Sequence, residues 1–298
     1  MERVEPIAPP DGGRTDPEAW AIGTSTSLFG APAAEHFDAC REAGIRCIEL
    51  VLAGGGNDPS TDAGIRTIEA RAAAIAASGL TLWSVHLPFG GPWDIAALDS
   101  SARAWAIRAQ EELLGVAGSL GAQVAVIHPS AEPIADADRA TAMALSREAF
   151  ERLAQVARRH GVRLAAECLP RTCLARDSSE MAEILTASDA LGICFDSNHL
   201  LTETPASFLE RHGPRVVTVH LSDYDGVDER HWLPGRGVVD WPAVIARLAA
   251  AGYRGPAMFE VSPKRAVGPI GPADLVACWK ELVARYRREE AASAAPPA

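Results

Sequence analysis

Apolar residues fall in two alternating textures along this chain. Short runs rich in Val, Ile and Leu predict strands buried on both faces, whereas longer Ala-, Leu- and Arg-rich stretches with helical spacing predict amphipathic helices. Read in order, the strands are Ala19–Thr26, Arg46–Val51, Thr81–His86, Gln123–His128, Arg163–Glu167, Leu191–Asp196, Val216–His220 and Ala257–Val261. The helices between and after them are Pro32–Ala43, Thr61–Ser78, Ser101–Leu120, Ala137–His160, Ser179–Ala187, Pro205–His212, Trp241–Ala251 and Pro272–Arg288. Pro32 suits a first helical position, where its missing N–H costs nothing, and Asp240 suits an N-cap. Gly44, Gly79, Gly121, Gly161 and Gly252 each stand where a helix must turn into the next strand, a place that favours the left-handed backbone.

Eight strand–helix repeats in 298 residues predict a single α/β domain, a (β/α)8 barrel, rather than an open doubly wound sheet. Its extent is read as residues 17–289, with a polar, Pro/Gly-rich leader over 1–16 and a disordered tail over 290–298. No GxGxxG follows the first strand. The glycine cluster Ala53-Gly54-Gly55-Gly56 lacks the Lys and Ser/Thr of a phosphate loop and reads as a flexible βα connection.

Composition narrows the function classes. A net charge of −11 argues against a broadly basic face for nucleic acid or membrane. No run approaches the ~20 apolar residues that span a bilayer, and the N-terminus lacks the pattern of a secretory signal. The six cysteines contain no CxxC pair and read as free thiols, which places the chain in the cytoplasm. A homo-oligomer is compatible with all of this.

The chemistry gathers at the strand ends. In order they carry Glu49, His86, His128, Glu167, Asp196 with His199 close behind, His220 and Glu260. All carboxyl ends of barrel strands face one rim, so these groups converge. Carboxylates packed together without compensation would cost several kcal/mol each, and a divalent cation is the simplest compensation. Imidazole with carboxylate and no thiolate pair suits Mn, Co, Mg, Fe or Zn. Cys168 follows Glu167 and by strand alternation points to the other face, as a packing residue. The loop after the seventh strand adds His231 shortly before Pro234-Gly235-Arg236-Gly237, while Asp225 and Asp228 read as solvated loop acids. Trp83, Phe89 and Trp93 are candidates for an apolar wall at the mouth; Trp105 and Trp279 are expected in the core.

Several short segments occur together in a specific order: Gly44-x4-Glu49, Ser84-Val85-His86-Leu87-Pro88-Phe89, Ile127-His128-Pro129 and Glu167-Cys168-Leu169-Pro170-Arg171. They continue with Asp196-Ser197-Asn198-His199, His220-Leu221-Ser222-Asp223, His231-x3-Gly235-x-Gly237-x2-Asp240-Trp241 and Phe259-Glu260. In these the chain resembles the xylose isomerase-like TIM-barrel superfamily, and in particular its sugar phosphate isomerase/epimerase group, from about Ala19 to Arg288. The resemblance implies one divalent metal held by Glu167, Asp196, His220 and Glu260, with Glu167 and Glu260 also acting as acid and base. It implies isomerisation or epimerisation of a sugar, keto-sugar or cyclitol through an enediolate. His199 would bind substrate oxygens, and His86, His128 and His231 would line the pocket; Glu49, Glu229 and Arg171 complete the set for substrate or further metal. The chain departs from the epimerase pattern at Cys173, where a glutamate is usual, and at Gly226, where an arginine is usual.

Two alternatives share these residues. A dehydratase or lyase acting on an inosose or keto-glycoside would use the same enolising chemistry. The ligand order also resembles endonuclease IV, a trinuclear zinc enzyme of abasic DNA, with Glu229 where that nuclease has aspartate; more than one metal ion is compatible with that order. The acidic balance and a lysine complement of only Lys264 and Lys280 weigh against DNA as substrate.

Overall fold

The computed structural model describes residues 13–54, 56–265 and 269–294. Eight parallel strands alternate with eight α-helices: β1 (Ile22–Ser25), α1 (Ala34–Ala43), β2 (Cys47–Val51), α2 (Asp62–Ala77), β3 (Thr81–His86), α3 (Ser100–Ser119), β4 (Val124–Ile127) and α4 (Arg139–Arg159). The second half follows with β5 (Arg163–Glu167), α5 (Ser178–Leu185), β6 (Gly192–Asp196), α6 (Pro205–His212), β7 (Val216–His220), α7 (Trp241–Ala250), β8 (Ala257–Phe259) and α8 (Pro272–Ala294). Every strand pairs with its sequence neighbour, and β1 also pairs with β8, giving the order β7-β6-β5-β4-β3-β2-β1-β8. Between β7 and β8 the ring is joined above the strands, where Leu221 N–H donates to Met258 O and Glu260 N–H donates to Leu221 O. This is a (β/α)8 barrel.

The elements follow from local chemistry. Thr61, Asp99, Asp177, Thr204 and Asp240 each cap a helix, with the side chain accepting from a backbone N–H of the first turn. The five turn glycines all take positive φ, between +71 and +108. The strands are near-continuous apolar runs because the barrel interior packs one face and the helices pack the other. Inside, Trp83 spans the barrel and its Nε1–H donates to Thr218 Oγ1 at 3.2 Å.

Some expectations shift. Pro32 lies ahead of α1, whose N-cap is Ala33, so it is not a first helical residue. The eighth strand ends at Phe259, leaving Glu260 one residue beyond it. Trp279 is buried against Trp20, but Trp105 is 39% exposed and packs on Trp93 at the barrel's outside. The described part of the glycine cluster is a closed turn: Gly54 and Asn57 exchange backbone bonds and Asn57 Nδ2 donates to Leu52 O, while Gly55 lies outside the described residues. Residues 1–12 and 295–298, where leader and tail were expected, also lie outside. Of the expected leader, Thr15 bonds to Ala249 O and Tyr253 O, and of the expected tail, residues 290–294 continue α8. No helix among the described residues is long and apolar enough to cross a membrane. The six cysteines are all unpaired.

Candidate metal centre and its surroundings

Strand alternation aims the last inward side chains of β5, β6 and β7 at one point above the barrel core, and Glu260 joins them from just past β8. One ligand atom from each of Glu167, Asp196, His220 and Glu260 lies within 4.8 Å of every other. His220 Nδ1 is 3.1 Å from Glu167 Oε1, 3.2 Å from Glu260 Oε2 and 3.8 Å from Asp196 Oδ2. Glu167, Asp196 and His220 are fully buried, whereas the Glu260 side chain remains 16% exposed and faces the mouth. Asp196 Oδ2 is buried and accepts no hydrogen bond, an arrangement that disfavours a carboxylate unless something else satisfies it.

Around this core two of the other histidines, His86 and His199, are anchored in one manner. His86 Nδ1 faces Leu87 O at 2.8 Å and His199 Nδ1 faces Cys168 O at 3.0 Å. Each ring therefore donates to a carbonyl and turns Nε2 toward a carboxylate. His86 Nε2 and His128 Nε2 both lie 3.1 Å from Glu167 Oε2, and His199 Nε2 lies 3.2 Å from Glu229 Oε2. A neutral imidazole anchored this way would aim a lone pair at a carboxylate oxygen, so each contact must hold a proton or a cation. His199, Glu229 and His231 form a second group whose potential ligand atoms lie within 4.8 Å of one another, and His86, Glu167 and His220 a third.

The electrostatics agree. Burial alone would lower His86 and His199, but the surrounding carboxylates push them up to about 9 and about 10. Burial likewise opposes the charged form of His220, yet its partners, Glu49, Glu260 and Glu167 among them, raise it well above the ordinary imidazole range. For His128 burial prevails over Glu167 and the imidazole is lowered. Burial favours the protonated form of Glu167 and Glu260, but the charge of His220 foremost holds both well below the usual carboxylate range. Asp196 is pushed up to about 6, burial outweighing His199. Positive charge, as protons or as a cation, is what this arrangement takes up.

Other expected residues fall in different places. Glu49 is not at the rim. It sits within β2, fully buried, with His220 Nε2 against its carboxylate. Arg171, with φ +53, is a strut rather than a free charge: it binds Glu132 and Asp228 and lies 3.3 Å from Glu229, tying together the loops after β4, β5 and β7. Asp228 and Asp225 are thus both partnered, the latter by Arg230 at 2.8 Å. Of the three expected aromatics, Phe89 is 53% exposed and stacked on His128 at 4.2 Å, Trp83 is buried against Thr218 and Trp93 packs on Trp105. Cys168 is buried, with Asp196 N–H donating to its sulfur.

Two positioning groups escaped the sequence reading. Asn198 Oδ1 accepts from the backbone N–H of Arg230 and of His231, which holds His231 at a φ of +50. Asn198 stands in the Asp196-Ser197-Asn198-His199 segment, the signal that could have found it. The buried carboxylate of Asp223 gathers the long β7 loop, accepting from Tyr224, Gly235 and Val239 backbone N–H groups and from Trp241 Nε1. Gly237 permits this, since a Cβ there would lie 2.0 Å from Tyr224 O and 2.4 Å from Asp223 Oδ1. We expect Gly237→Ala to lower stability by about 1–3 kcal/mol in urea unfolding and to displace the His231 loop; a variant as stable as the parent would remove that glycine from the loop's design.

Comparison with known proteins places this geometry. The barrel superposes on a structure of L-ribulose 3-epimerase with a TM-score of 0.73 at 17% identity, covering 93% of this chain and 99% of that one. A xylose isomerase-like TIM barrel protein from Mycobacterium smegmatis, in complex with magnesium, gives a TM-score of 0.67 at 17% identity, covering 92% and 99%. An uncharacterised protein of Sinorhizobium fredii, y4fM, is 41% identical over 83 residues, 27% of each chain. The chain matches less than two thirds of the length of its curated relatives, at most 61%. A family model described as xylose isomerase-like TIM barrel matches residues 37–284, and the chain belongs to that family.

Proposed function

We propose that this protein is a divalent-metal-dependent isomerase or epimerase acting on a sugar, keto-sugar or cyclitol. The observation that carries the reading is the convergence of Glu167, Asp196, His220 and Glu260, with Asp196 Oδ2 buried and unsatisfied. Three carboxylates and an imidazole suit Mn, Co, Mg, Fe or Zn, and the magnesium complex of a similar barrel supports the assignment. A bound cation would polarise a carbonyl and its neighbouring hydroxyl, making the carbon between them acidic.

The chain supplies the rest. Glu260, facing the mouth, takes or returns the proton on one side of the substrate carbon, and Glu167 does so on the other, through an enediolate. Glu167 is hemmed by four imidazoles, so its carboxylate is held in one orientation. His199 and His231 offer nitrogen to substrate hydroxyls, and Phe89 offers an apolar face to the ring. Unpaired thiols fit a cytoplasmic setting.

A panel of ketoses in D2O with added Mn2+, Co2+ or Mg2+ tests this reading. Deuterium should enter at the carbon next to the carbonyl. A second reading comes from the further clusters His199–Glu229–His231 and His86–Glu167–His220, which could hold more ions, as in a zinc phosphodiesterase. Three zinc ions per chain with cleavage of abasic DNA, and no exchange in any ketose, would establish that reading instead. Net elimination of water from an inosose would favour the dehydratase variant of the same chemistry.

A further inference from the structure

We propose that Glu49 is a positioning residue: it holds His220 with its Nε2–H directed at the Glu49 carboxylate, so that Nδ1 is presented, unprotonated, to the metal centre. The inference rests on the metal reading above and concerns the one ligand whose binding atom is decided by a proton's location.

His220 is oriented opposite to His86 and His199. Its Nε2, not its Nδ1, faces the anchoring group, at 2.9 and 3.1 Å from the two oxygens of Glu49. When Nε2–H donates to this carboxylate, Nδ1 is the nitrogen left free for a cation. With the proton on Nδ1 instead, His220 would donate to Glu167 or Glu260 and close the centre to a cation. Both side chains are inaccessible to solvent, so water cannot take over the role of Glu49.

Glu49 is itself fixed. Ser84 Oγ donates to its Oε2 at 2.8 Å, and the two residues stand opposite each other in the β2–β3 pairing. That register shifts between Ile48 and Glu49, so that Glu49 meets Ser84 and Trp83 is left unpaired. The β6–β7 register shifts in the same way just below His220, between Ile193 and Cys194. Such irregularities re-aim side chains beside working sites. Here they bring a carboxylate from β2 and an imidazole from β7 face to face across the barrel. A metal-bound histidine whose second nitrogen donates to a carboxylate has a fixed tautomer and ring orientation.

The test uses the full chain, stripped of metal and titrated with Mn2+ by calorimetry, for wild type, Glu49→Leu and Glu49→Gln. Leucine removes the acceptor and should weaken Mn2+ binding about 10–100-fold. Glutamine keeps an oxygen for the Nε2–H and a donor for Ser84, and should stay within about 5-fold of wild type. Nitrogen-15 NMR of the zinc-loaded protein reads the tautomer directly. Wild type and glutamine should show His220 bound through Nδ1 with a protonated Nε2, and leucine should lose that signature. If the leucine chain does not fold, Ser84→Ala, which frees one oxygen of Glu49, should still weaken binding about 3–10-fold. Leucine or Ser84→Ala binding Mn2+ as tightly as wild type, or a zinc-loaded wild type with its His220 proton on Nδ1, would overturn the role of Glu49 alone. A wild type that takes up no divalent ion would overturn the metal reading and this inference with it.

Discussion

Glu260→Gln is expected to lower kcat for the proposed epimerisation by about 10^3-fold or more while leaving the fold intact. Glutamine matches the shape but can neither accept nor return a proton at the substrate carbon. The position is suited to the task because Glu260 alone among the four convergent groups keeps part of its side chain open to the mouth. Its carboxylate is held ionised against burial by His220 above all. Two measurements separate its roles. If Mn2+ still binds and deuterium no longer enters the substrate, Glu260 moves the proton; if Mn2+ binding is lost as well, it is required as a ligand. Unchanged turnover would remove Glu260 from the chemistry altogether.

Removal of divalent ions should have a comparable effect on activity and a separate one on stability. Chelation is expected to abolish turnover, and re-addition of Mn2+ at 100 times its dissociation constant should stabilise the folded chain by about 2.7 kcal/mol. The physical source is the crowding of Glu167, Asp196 and Glu260 in a space where Asp196 Oδ2 has no hydrogen-bond donor. Without a cation the charge can be balanced only by protons, on the neighbouring imidazoles or on Asp196 itself. Thermal unfolding with and without chelator reads the effect. Coincident melting curves, with activity that survives chelation, would refute a metal centre.

Much of this was legible in the chain. Strands buried on both faces leave continuous apolar runs, and a repeat of eight strand–helix units leaves little choice of architecture. The ends of β5, β6 and β7 coincide with Glu167, Asp196 and His220 because a two-residue period and one common rim suffice to place them. Depth was not legible. Glu49 shares the alternation of the rim residues and stands two residues short of the strand end, but only its contact with His220 Nε2 shows that it lies a layer lower, behind that ring. The contacts of the loop groups were hidden for another reason. Most side-chain partners of Arg171, Asn198 and Asp223 lie far off in the chain, as in Asp223 with Gly235 and Arg171 with Asp228. Local pattern carries no trace of such pairs. Trp105 fell on an expected core face because helical periodicity gives a direction but not what covers it.

The seam between β7 and β8 is also a mechanical joint. The ring of strands is joined there by the backbone bonds of Leu221 with Met258 and Glu260, and His220 and Glu260 stand on its two sides, 3.2 Å apart. An ion held by both would bridge the joint from one edge to the other, acting as a clasp on the hoop as well as a reagent within it. Loss of such an ion would loosen the hoop at the same point, coupling closure of the barrel to readiness for the proposed chemistry.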